Sequence, residues 1–129
     1  MLRIVLASSA PERLKDLSAW MREQQDLRFS VAASGAQALK SVQQDGGHLV
    51  ICDAQLSDMS GLELVKQLVL LNPLLNTALL SSLSPKDFHE ATEGLGVLMQ
   101  LPPRPGPEES QALLERLKHV SFASGKSDI

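Results

Sequence analysis

Asp53 is the residue in this sequence whose type and position best suit chemistry. It closes the run His48-Leu49-Val50-Ile51-Cys52, which is apolar through most of its length. Such a run reads as a central strand of a parallel sheet covered on both faces, and ligands collect where such strands end. Three other pairs follow apolar runs: Ser8-Ser9, Ser81-Ser82 and Pro102-Pro103. Only Asp53 among them carries a charge. At this point two readings of it stand, a carboxylate that reacts or binds at a strand end, and a carboxylate that caps the next loop by accepting from backbone amides. Ser8 and Ser9 have no histidine placed by sequence to activate them, so they read as ordinary hydroxyls. His48, His89 and His119 are dispersed, with no pair on one helix face, and read as surface or strand-end residues rather than metal ligands. Asp45-Gly46-Gly47 precedes a strand, whereas a phosphate-cradling loop follows a strand and opens a helix.

The elements that hold these residues are legible as an alternation. Ile4-Val5-Leu6 is a short buried strand. Pro11 marks the first turn of an amphipathic helix from about Glu12 to Gln24, with Leu14, Leu17, Trp20 and Met21 at helical spacing. Phe29 to Ala32 is a second strand. Ser34 and Gln37 form a capping box for a helix to about Gln44, closed by Gly46-Gly47. After the third strand, His48 to Asp53, Ser60 and Glu63 cap a helix that Asn72-Pro73 stops near Leu71. Thr77 to Ser81 is a fourth strand, Ser84-Pro85 starts a short fourth helix, Val97 to Leu101 is a fifth strand, and Glu108 to Val120 is the last helix. Strands alternating with helices imply right-handed crossovers, hence an α/β fold: a five-stranded parallel doubly wound sheet with five helices. Residues 1–120 form one domain, and 121–129, rich in Ser, Gly, Lys and Asp, read as a flexible tail or the start of a linker.

Composition narrows the function. The chain has 129 residues, 43% of them hydrophobic, and a formal charge of -3, which leaves no large basic surface for nucleic acid. The longest apolar stretch, Leu68 to Leu83, is interrupted by Asn72, Pro73, Asn76 and Thr77, short of the roughly 20 apolar residues of a membrane helix. A single cysteine excludes an internal disulfide, and no secretory leader pattern opens the chain, so a cytoplasmic setting is expected.

The segment Leu49-Val50-Ile51-Cys52-Asp53-Ala54-Gln55-Leu56-Ser57-Asp58-Met59-Ser60-Gly61-Leu62-Glu63-Leu64 resembles the signature of the receiver domain of two-component response regulators. Asn72-Pro73 ahead of a strand ending in a hydroxyl residue, and Ala33-Ser34-Gly35-Ala36-Gln37-Ala38-Leu39, extend the resemblance over roughly residues 2 to 120. It implies the flavodoxin-like fold of chemotaxis regulators, with Asp53 as phosphoacceptor from a phosphohistidine on a sensor histidine kinase. It further implies that Ser81 contacts the phosphoryl group, and that Asp53 and the Gln55 backbone carbonyl serve as magnesium ligands.

The same resemblance exposes departures. The family holds magnesium with two acidic residues after the first strand, where this chain has Ser8 and Ser9. Losing two carboxylates costs several kcal/mol of ion binding by the ~4 kcal/mol of a charge pair at intermediate dielectric, so Mg2+ binding is expected to be weak or absent. The family's lysine falls at Pro102, or at Leu101 in the alternative register, and Arg104 is the nearest cation in sequence. The aromatic switch position falls at Met99.

Three functions follow. The first is a receiver domain in a phosphorelay, without enzymatic activity of its own. The alternative is a phosphorylation-independent pseudo-receiver that works through protein–protein contacts. The third, a small flavodoxin-like or hydrolase-like enzyme, lacks a base, nucleophile pair or phosphate loop at the strand ends. The leucine-rich stretch Leu62 to Leu75 holds more apolar residues than one helix face buries, which makes homodimerisation or a bound partner helix a candidate.

Overall fold

The structure, a computed structural model, describes residues 1–123. The strands are β1 (Leu2–Ala7), β2 (Leu27–Ala32), β3 (Leu49–Cys52), β4 (Asn76–Leu80) and β5 (Met99–Leu101). The helices are α1 (Lys15–Arg22), α2 (Gly35–Asp45), α3 (Gly61–Leu71), α4 (Pro85–Thr92) and α5 (Pro107–Ala123), with a 3₁₀ turn at Pro11–Leu14 ahead of α1. All strand pairs are parallel, in the order β2-β1-β3-β4-β5. The order reverses between β1 and β3, and the crevice beyond their carboxyl ends is the place where open α/β sheets bind ligands.

Period-two alternation in the central strands builds both cores. Val5, Ala7, Val50, Cys52 and Leu79 face the layer of α2 and α3, where Val42, Leu64, Val65 and Leu68 are buried against them. Ile4, Leu6, Ile51 and Leu80 face the layer of α1 and α5, against Leu17, Met21, Leu113 and Leu117. All four residues of β3 are buried, as a strand covered on both faces requires. Each such aliphatic side chain contributes about 1.5–3 kcal/mol on burial, so the strand that delivers Asp53 is among the best anchored segments of the chain.

The serine halves of both caps predicted from sequence form, while the Glu63 carboxylate accepts from the Gln67 side chain at 3.2 Å instead of closing a box on Ser60. Ser34 Oγ accepts from the Gln37 amide at 3.1 Å and Ser60 Oγ from the Glu63 amide at 3.0 Å. The Gln37 side chain closes its half of the box on Ala33, whose amide donates to Oε1 at 2.9 Å, one residue earlier than a reciprocal box places it.

Several boundaries differ from the sequence reading, three of them as follows. The first helix is not continuous from Glu12: Pro11 opens a 3₁₀ turn in which the Arg13 amide donates to the Ala10 carbonyl at 3.1 Å, and regular helix begins at Lys15. The fifth strand is Met99–Leu101 rather than starting at Val97, because Gly94 and Gly96 hold positive φ (83° and 64°) and delay the extended backbone. The last helix continues through Ala123, so residues 121–123 of the expected tail are helical, while 124–129 lie outside the described residues.

Candidate functional site

Asp53 stands one residue past β3, its amide donating to the Ala7 carbonyl at 3.0 Å, and only 2% of its surface is exposed. Three donors engage its carboxylate. The Ser8 hydroxyl donates to Oδ2 at 2.9 Å, Arg13 Nη2 donates to the same oxygen at 2.5 Å, and the Ala54 amide donates to Oδ1 at 2.8 Å. The charge of this buried group is thus balanced by a guanidinium whose side chain is 33% exposed. Removing the partner of a buried carboxylate is strongly destabilising, so the pair stabilises the folded site.

Arg13 was not legible as a site residue; Arg104, the nearest cation in sequence to the missing lysine, is exposed on the loop after β5. The physical reason lies in the 3₁₀ turn. It rotates Arg13 off the solvated stripe of a regular helix and over the end of the sheet. There its Nη1 also donates to the Pro103 carbonyl at 3.5 Å, a long bond that links the guanidinium to the loop between β5 and α5.

The two serines have separate roles. Ser8 is buried, and besides donating to Asp53 it accepts from the Ala10 amide at 3.1 Å. Ser9 donates to the Ala33 carbonyl at 2.9 Å and accepts from the Ser57 amide at 2.8 Å, joining the loops after β1, β2 and β3. Asp58 strengthens that junction, since its two carboxylate oxygens accept from the Gly35 and Ala36 amides at 2.9 Å each. Those hydrogen bonds, Ala36 first and Gly35 second, hold the Asp58 carboxyl below its ordinary pKa.

The other expected residues fall around this centre. Ser81 stands one residue past β4, the strand beside β3; its Oγ accepts from the Leu83 amide at 3.0 Å. The Gln55 side chain donates to the Leu56 carbonyl at 3.1 Å. Pro102 is exposed, and no peptide bond among the described residues is cis, the Pro102-Pro103 bond included. Met99 is half-buried and packs against the α1–α5 core. Cys52 is fully buried, and desolvation pushes its thiol well above the ordinary range, which leaves it a packing residue rather than a nucleophile.

With this geometry in view, comparison with known proteins places the class. The profile of the response regulator receiver domain matches residues 4–104, and the chain belongs to that family: it is a receiver domain of two-component response regulators. Among solved structures, it is similar to the chemotaxis response regulator CheY4 of Vibrio cholerae (TM-score 0.80, 18% identity, covering 91% of this chain and 98% of that one). It is likewise similar to a CheY-like receiver domain protein from Methanospirillum hungatei JF-1 (TM-score 0.76, 18% identity, 98% of each chain). A third likeness is to the N-terminal domain of an uncharacterized protein from Wolinella succinogenes (TM-score 0.80, 18% identity, 96% of this chain and 99% of that one). No curated protein matches the chain. At these identities the structures establish the fold alone.

Magnesium, implied by the family resemblance, does not fit the donor set. Asp53 is the one carboxylate of its cluster, and the oxygen that Ser8 contacts already carries the guanidinium. Both serine hydroxyls spend their protons and accept a backbone amide each. Among the described residues, no group of three or more His, Cys, Asp and Glu side chains is arranged to hold a metal ion. Nor is any helix among them long and apolar enough to cross a membrane.

Proposed function

We propose that this receiver domain works as a phosphorylation-independent interaction module in a cytoplasmic signalling relay, non-enzymatic, with Asp53 retained as a structural carboxylate. One observation carries the reading: both oxygens of a 2%-exposed carboxylate are engaged, one of them by a cation from the same chain. Phosphoryl transfer is catalysed mainly by positioning and charge neutralisation around an in-line nucleophile. A carboxylate that must first break an ion pair and a hydroxyl hydrogen bond starts that reaction from a stabilised ground state. It also lacks the neighbouring acids that would recruit a metal.

The second reading, a working phosphoacceptor for a sensor histidine kinase, draws support from the placement of Asp53 one residue past the central strand β3, with a hydroxyl residue, Ser81, one residue past the neighbouring β4. Intact mass after incubation with a small-molecule phosphodonor and Mg2+ separates the two, with Asp53→Ala run in parallel. The expected result is no added phosphate on either protein. An Asp53-dependent gain in mass would overturn the proposal and establish the second reading.

A further inference from the structure

We propose that Arg13 is the resident cation of this site, neutralising Asp53 and tying it to the β5–α5 loop, so that the domain holds its conformation without a divalent metal. The inference deepens the reading above and relies on it only for which pocket is the receiver site. Four observations support it. The guanidinium reaches Oδ2 of Asp53, the oxygen that also accepts the Ser8 hydroxyl, at 2.5 Å. Its other terminal nitrogen contacts the carbonyl of Pro103 at 3.5 Å. That carbonyl belongs to the loop where the family resemblance places a lysine and this chain has prolines. The positions that would carry acidic metal ligands hold hydroxyls committed to backbone and carboxylate partners.

The charge arithmetic follows directly. One carboxylate and one guanidinium sum to zero, whereas an acidic cluster carries a surplus of negative charge that only a bound cation relieves. A guanidinium stays protonated throughout the physiological range and presents a fixed fork of donors, so it contacts a carboxylate and a carbonyl together. It is also tethered. A cation on the same chain is present at constant effective concentration and cannot be removed by a chelator.

The test is a thermal denaturation cycle on the full chain, with wild type, Arg13→Ala, Asp53→Ala and the double variant each melted in millimolar MgCl2 and in EDTA. Wild type is expected to melt at the same temperature in both. Arg13→Ala, which strands a buried carboxylate, is expected to melt roughly 5–10 °C lower. The double variant should recover part of that loss, because the stranded charge is gone. Two results would overturn the proposal: a saturable rise in the wild-type melting temperature with Mg2+, or strictly additive effects of the two substitutions. If Arg13→Ala does not fold, Arg13→Lys and Arg13→Gln stand in its place: the lysine variant should keep most of the stability and the glutamine variant lose it, and equal losses would count against a role for the charge. The readouts separate this proposal from the preceding one. Phosphate uptake by wild type in EDTA would sink phosphorylation independence while leaving the resident cation standing, and metal-stimulated stability without phosphate uptake would do the reverse.

Discussion

At the scale of single residues, the site is a set of hydrogen bonds redistributed among a few short side chains. Asp58 shows how much depends on where a carboxylate's oxygens go. It lies in the segment that carries the family likeness, yet its role is to accept from the first amides of α2. Those amides would otherwise be orphaned at the helix start, where negative charge is favoured. Its carboxyl is held below the ordinary range in the folded chain, so ionisation favours the fold. That contribution is fully present above the unfolded-state value of about 3.9 and disappears as pH falls through the lower folded value. Asp58→Asn should therefore lower the melting temperature at neutral pH, and the difference from wild type should shrink as melts are repeated below roughly pH 4. A difference independent of pH would mean that shape, not charge, fixes this junction.

Among the elements, α3 shows how closely the site is fitted to its support. Gly61 opens that helix with its amide donating to the Ala54 carbonyl at 2.9 Å, and a Cβ built there would collide with the Asp53 carbonyl and approach Leu79 Cδ1 at 2.7 Å. Backbone cannot move aside as a flexible side chain can. Gly61→Ala is expected to cost about 1–3 kcal/mol by overpacking, read as a lower urea midpoint at unchanged slope. The apolar runs and the serine caps made the alternation of elements legible from sequence, because burial on both sheet faces and capping are local demands. Asp53 was legible for the same reason, as the charge that ends the most buried strand. Arg13 was not, because it is 40 positions from its partner and a regular helix through Glu12 to Gln24 gives it no reason to face the sheet. The 3₁₀ turn, a departure from that helix, creates the contact. Sequence also placed the divided work of Ser8 and Ser9 in one category, since adjacent hydroxyls on an extended chain point opposite ways and only the folded loops show what each one meets.

For the molecule as a whole, apolar surface is distributed unevenly. Leu70 on α3 is 84% exposed and lies beside Leu71, Leu39, Gln43 and Gln67 in a cleft between α2 and α3. The sequence foretold this surplus from the leucine content of the segment, and the fold places it away from the crevice of Asp53. Leu70→Gln should leave stability within about 0.5 kcal/mol of wild type, since little burial is lost. If this surface joins copies of the chain, the same substitution should abolish concentration-dependent association in sedimentation velocity; association undiminished by it would place the contact elsewhere.

The double bond-making of Ser9 has a consequence for how such a domain changes over time. Its hydroxyl gives a proton to one loop and takes a backbone amide from another. A carboxylate at that position has no proton to give the Ala33 carbonyl and would set two acceptors against each other. An acid there therefore gives up the bond to the Ala33 carbonyl. A metal-holding arrangement is thus not a neutral single step from this one: an acid at position 9 forfeits a link between two loops before it can gain an ion.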